Sequence, residues 1–179
     1  VKGIAELDEQ VRSYAKGEPM PEPKAFTCPI AFNAIPHIDV FMEQDYTKEE
    51  WKMYYETRKI FHDPDLRISS TTVRIPVMRS HCESILLETK KKITPDEVRD
   101  ILSKAPGVKV YDDPSNNIYP TPLTTQGQDI IYVGRIRRDT SSENGIWLWT
   151  CGDQIRKGAA TNTIQIGEVL IERGLLDKK

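Results

Sequence analysis

Ile4, Leu7 and Val11 recur at helical spacing, which predicts a helix over about residues 4–15. The run Gly17-Glu18-Pro19-Met20-Pro21-Glu22-Pro23 closes it, because prolines and glycine at this density favour a loop. Phe26 to Asn33 predicts a short strand, and Ile35-Pro36-His37 an irregular turn. Thr47 with Glu50 three residues on is a capping box, and Trp51, Tyr54, Tyr55, Arg58 and Phe61 continue the helix behind it. Asp63-Pro64-Asp65 stops that helix. The β-branched run from Ile68 to Val73 predicts a strand, and the polar-apolar alternation from Glu83 to Thr89 predicts another.

Thr94-Pro95-Asp96-Glu97 combines an N-cap, a first-turn proline and a second capping box. The helix it starts buries Val98, Ile101 and Leu102 and ends at Pro106-Gly107. Val108 to Tyr111 reads as a short edge strand before the polar loop at 112–117. Gln128 to Asp139 and Gly145 to Thr150 read as strands joined by the turn at 140–144, and a last helix runs from about Arg156 to Arg173 with Gly174 as its cap. Several strand pairs leave no room for a helix between them, which excludes a pure βαβ series. The prediction is an α+β fold, a mixed and largely antiparallel sheet with helices on one face. Ile146-Trp147-Leu148-Trp149 is apolar on both sides of its strand, so the second face is expected to meet a partner.

At 179 residues the chain is long enough to bury a core without disulfides or metals. Twenty-five basic and 27 acidic residues give a net charge of −2, and the absence of a long basic run argues against a nucleic-acid surface. Cys28, Cys82 and Cys151 are odd in number and far apart, which points to a reducing compartment. Without a C-x-x-C pair no zinc or other metal site is expected. No signal peptide and no membrane-length apolar run is visible, so the expected location is cytoplasmic. A chain that opens on Val1 reads as a fragment.

Chemistry concentrates in Val73-Arg74-Ile75-Pro76-Val77-Met78-Arg79-Ser80-His81-Cys82-Glu83. Arginine grips carboxylates through a planar fork of donors, and histidine moves protons near neutral pH. Arg74 and His81, seven apart, would face opposite sides of an unbroken strand, so they form a site only if the chain leaves the ladder around Pro76. Two surface residues flanking an edge proline are the plainer account. His81 and Cys82, as neighbours on an extended chain, point apart and do not form a nucleophile pair. Glu49 and Lys52 share a helix face, either as a solvated ion pair or as groups for an ionic substrate. Gly152-Asp153-Gln154-Ile155-Arg156-Lys157-Gly158-Ala159-Ala160 places small residues at a helix start, but its spacing is not a dinucleotide fingerprint.

In order along the chain, Pro29 to Asp39, Tyr46 to Met53 with Glu56 to Ile60, Val73 to Glu83, Tyr132 to Arg137, and Gly158-Ala159-Ala160 with Asn162 and Gln165-Ile166 are similar to the aspartate-semialdehyde dehydrogenases. The resemblance covers nearly the whole chain. It implies a single substrate-binding and dimerisation domain over 1–179 of the glyceraldehyde-3-phosphate dehydrogenase C-terminal type. Within it, 152–179 would form the C-terminal helix that packs on a nucleotide-binding domain missing from this chain. It further implies an oxidoreductase that converts aspartyl-β-phosphate and NADPH to aspartate semialdehyde and phosphate, for lysine, methionine and threonine biosynthesis. By match to the family motifs, His81 would be the general acid/base and Arg74 would hold the substrate carboxylate. Glu49 and Lys52 would meet the substrate amino group and the phosphate, and Gln154 would lie near the nicotinamide.

A homodimer is implied too. The family's cysteine nucleophile and glycine-rich nucleotide loop have no counterpart here, so the chain alone is expected to be inert and not to bind NADP. The alternative is a stand-alone, non-catalytic dimerisation module of the same fold. The N-acetyl-glutamyl-phosphate reductases share fold and chemistry, but the Arg74-to-His81 segment resembles them less.

Overall fold

Three helices form where their end signals place them. The computed structural model describes residues 2–176 and divides the chain at Met78 and Arg79 into two compact units. In the first, helices α1 (Lys2–Ala15) and α2 (Lys48–Phe61) are joined by a long irregular segment. The face that α1 buries is not its apolar stripe, since Ile4 and Val11 are exposed while Glu6, Leu7 and Gln10 are buried. The reason lies in the segment expected to be a strand at 26–33. Its backbone amides find no partner strand. Gln10 Oε1 accepts from the amides of Ile30 and Ala31 within it, and Glu6 Oε2 from those of Lys24 and Ala25 just before it. Leu7, Ile30, Ala31 and Ile35 close over this contact as the core of the unit.

The second expected strand of this unit, 68–73, does not form either. Only an isolated bridge joins Ile35 to Arg74, and the Thr72 amide donates to Glu50 Oε1 at 2.8 Å. A β-branched run is strand-competent, but a strand needs a neighbour along its length. The capping box on α2 forms as read, with Thr47 and Glu50 exchanging bonds, and His62 ends the helix in the left-handed region.

The second unit holds the sheet, with strands β1 (His81–Glu88), β2 (Val108–Val110), β3 (Ile131–Arg138) and β4 (Gly145–Gly152). Their order is β1-β4-β3-β2; β2 runs parallel to β3 and the other pairs are antiparallel. The sheet is therefore mixed and largely antiparallel, as the pattern predicts. Helix α3 (Pro95–Ser103), capped by the Thr94 and Glu97 box, packs Val98 and Leu102 onto one face against Val133, Ile136, Ile146 and Leu148.

A bulge between Gly134 and Arg137 breaks the alternation of β3, with Arg135 at φ 54°. It brings Ile136 rather than Arg135 into the core two-residue rhythm set by Val133. On the opposite face, the Trp149 indole donates to Pro120 O at 2.9 Å, and the short helix α4 (Pro122–Thr125) follows. The last helix is not uniform. A π-helical turn over Arg156–Ala160 precedes α5 (Thr161–Glu172). Residues 177–179 of the expected C-terminal segment lie outside the described residues.

Candidate functional site

In the first unit, the local structure of α2 decides what Glu49 and Lys52 do. Three residues apart on one helix face, they form an ion pair of 2.9 Å in which both side chains stay partly exposed. The hydrogen bond and charge of Glu49 raise the Lys52 pKa, so the ammonium is charged at neutral pH. Arg74 is held through its backbone, which exchanges two bonds of 2.9 Å with Ile35. Its side chain is exposed, with the guanidinium carbon 5.3 Å from the Phe26 ring centroid. That leaves the fork of donors accessible for a carboxylate.

Glu50, legible in the sequence only as a capping residue, also ties this segment to the helix. Its buried carboxylate accepts from the Thr47 and Thr72 amides, two residues short of Arg74. Burial pushes its pKa up, and the amide donors more than offset that, so the net shift is downward.

In the second unit, His81 is the exposed first residue of β1, opposite Gly152 on β4. A Cβ at Gly152 would meet the tip of the Ile131 side chain, which would have to shift. The residue before His81 is the buried Ser80, at φ 81°. Its amide donates to Gln154 Oε1 at 2.7 Å, and its hydroxyl accepts from Thr125 Oγ1 at 3.0 Å. Gln154 is thus brought beside His81 through Ser80, with its amide nitrogen remaining as a donor. Arg74, Glu49 and Lys52 belong to the first unit, His81 and Gln154 to the second.

In the sequence Asp153 stands out only as part of a motif, yet it is fully buried and the most heavily bonded carboxylate near His81. Arg79 and the amides of Gly127, Ile155 and Arg156 all donate to it. Burial pushes its pKa up, but these donors bring the net value below the ordinary one. Nearby, Asp129 accepts from Arg156 and Thr161, which brings its pKa down to about 2 and ties the turn before β3 to α5.

Cys82 is not poised as a nucleophile. Cys82 and Cys151 face each other across β1 and β4 with their sulfurs 3.2 Å apart. Burial, and then the contact with Cys151, push the Cys82 thiol up to about 12, so it carries no thiolate near neutral pH. No group of metal-ligating side chains occurs among the described residues. A glycine-rich strand-to-helix turn that would cradle a pyrophosphate is lacking among the described residues. No described helix is long and apolar enough to cross a membrane.

Residues 1–157 match the family model described as semialdehyde dehydrogenase, dimerisation domain. The chain is 53% identical over 175 residues to the aspartate-semialdehyde dehydrogenase of Aquifex aeolicus (strain VF5), covering 98% of this chain and 52% of that protein. With the corresponding protein of Synechocystis sp. (strain ATCC 27184 / PCC 6803 / Kazusa), it shares 46% over 173 residues, 97% of this chain and 51% of that one. The fold is similar to the crystal structure of aspartate semialdehyde dehydrogenase II complexed with ASA from Vibrio cholerae, at a TM-score of 0.90 and 43% identity over 95% of this chain and 50% of that one. The chain thus spans about half the length of the curated relatives it matches.

Proposed function

The chain belongs to the semialdehyde dehydrogenase dimerisation-domain family, and from that membership we propose that it is the C-terminal, substrate-binding half of an aspartate-semialdehyde dehydrogenase. The observation that carries this reading is the exposed His81 at the head of β1, preceded by two side-chain-anchored residues and lying inside the family match. The substrates would be aspartyl-β-phosphate in one direction and aspartate semialdehyde with phosphate in the other. The nucleophilic cysteine and most of the nucleotide site would come from an N-terminal domain. NADP, when bound, supplies or accepts the hydride.

His81 acts as the general acid/base, moving the proton of the nucleophilic thiol and of the reacting carbonyl oxygen. Arg74 holds the substrate carboxylate through its fork of donors. Glu49 accepts from the substrate amino group, and Lys52 supplies a positive charge for the phosphate. Gln154 orients the nicotinamide by donating from its amide nitrogen. Exposed Ile164, Ile166 and Ile171 on α5 support packing of the 152–179 segment on the N-terminal domain. The protein works in the cytoplasm as a homodimer.

The test is an assay of phosphate-dependent NADPH formation from aspartate semialdehyde. The chain alone is expected to give none. Joined behind the N-terminal half of the Aquifex relative, it is expected to be active, and His81→Asn should lower kcat by about 10²-fold or more. Full activity of the His81→Asn protein would refute the assignment, and turnover by the chain alone would refute its dependence on a second domain.

A further inference from the structure

Asp153 presents an unusual arrangement, a fully buried carboxylate whose donors come from outside the sheet ladder. Oδ1 accepts from the amides of Ile155 at 2.9 Å and Arg156 at 3.1 Å, and from Arg79 Nη2 at 3.1 Å. Oδ2 accepts from the Gly127 amide at 2.7 Å and lies 3.0 Å from Arg79 Nη2. Burying an ion is costly unless it is fully bonded, and here the bonding is complete enough to keep the carboxyl ionised.

The three residues 152–154 hold the three residues 79–81. Gly152 opposes His81 in the ladder, Asp153 takes Arg79, and Gln154 takes the Ser80 amide. Between these anchors Ser80 adopts φ 81°, a left-handed conformation that a serine keeps only when its surroundings impose it. That turn directs the chain into β1, an edge strand with His81 as its first residue. The end of an edge strand is where a sheet frays first.

We infer that Asp153 is a positioning residue for His81, fixing through Arg79 the strained turn that delivers the histidine to the head of β1. The inference rests on the reading of His81 as the acid/base. Asp153 touches no reacting group. It acts by locking the approach to β1 to the Gly127 turn and to the start of the C-terminal helical segment, so that His81 has one backbone geometry instead of several.

The test uses the full chain labelled with ¹⁵N, and compares it with Asp153→Asn by nuclear magnetic resonance. Amide exchange at His81 is expected to speed up at least tenfold, and the His81 ring resonances to shift or broaden. Ile85 and Leu87, farther along β1, should keep their protection. His37 and His62, in the first unit, should keep their ring resonances. Unchanged His81 ring and amide resonances would overturn the inference. So would an equal loss of protection along the whole of β1, which would make Asp153 a support of the sheet and not of its end. Should Asp153→Asn fail to fold, Arg79→Gln removes the guanidinium and leaves the three amide bonds to Asp153 in place. It should produce the same local change at His81, and its failure to do so would equally refute the proposal. Neither readout needs dehydrogenase activity, so this test and that of the proposed function fail independently.

Discussion

Glu50 illustrates how much a single side chain does here. One oxygen completes the cap of α2, and the other holds Thr72 close to Arg74. Replacing it with glutamine removes charge-assisted bonds to buried amides and should cost about 1–2 kcal/mol at pH 7. The sign of the pH dependence follows from its lowered pKa, which Asp153 shares. A carboxyl whose folded pKa lies below its unfolded value stabilises the protein above that unfolded value, about pH 4, and the stability is lost as pH falls through the folded value. Urea unfolding at pH 7 and again at pH 3 checks this. The gap between wild type and Glu50→Gln should narrow at the lower pH, and a constant gap would remove the Glu50 charge from the account.

Among the elements, the bulge in β3 depends on a residue that the sequence presents as an ordinary loop aspartate. Asp112, with no exposed side-chain surface, accepts from the amides of Arg135 and Ile136 and from Arg99 on α3. It thereby sets the bulge that turns Arg135 outward and Ile136 inward, and pins α3 to the sheet. Gly134 beside it is required for a separate reason, since a Cβ there would lie 2.6 Å from Pro120 Cδ. Asp112→Ala would leave two backbone amides without their acceptor and Arg99 with only Asp96 and the Ile136 carbonyl, a loss of about 3 kcal/mol. Thermal unfolding measures it. A change under about 0.5 kcal/mol, the range of ordinary surface substitutions, would show that the bulge holds without Asp112.

At the scale of the whole molecule, the two units have separate cores, one around Leu7, Ile30 and Ile35, the other around Val133, Ile146 and Leu148. The sheet buries Ile146 and Leu148 under α3, while Leu86 on the opposite face remains 44% exposed across from Trp147. Pro120 and α4 cover part of that face near Trp149 and Cys151, which strand alternation alone does not anticipate. The rest is the surface on which the proposed homodimer would form. Sedimentation at micromolar concentration should give twice the 20.5 kDa chain mass. Leu86→Glu should return it to the monomer. A wild-type chain that sediments as a monomer would count against the dimer.

What the sequence determined by itself is whatever depends on near neighbours. Thr47 with Glu50 and Thr94 with Glu97 cap their helices three residues away, so both ends are legible without any fold. The alternation in β1 and the apolar run in β4 likewise announce strands, and the order of the family motifs is what singles out His81, Arg74, Glu49, Lys52 and Gln154 as candidates. The tertiary structure decided whatever needs a distant partner. Phe26 to Asn33 and Ile68 to Val73 have strand-like composition, but Gln10 takes two amides of the first and Glu50 one of the second, and no ladder forms. The Asp112 bulge and the Asp153 clamp are equally invisible in a local window, since Asp153 meets Arg79 across 74 positions of chain. A hydrogen bond acts over a few ångströms in space, and only folding determines which residues come within that reach.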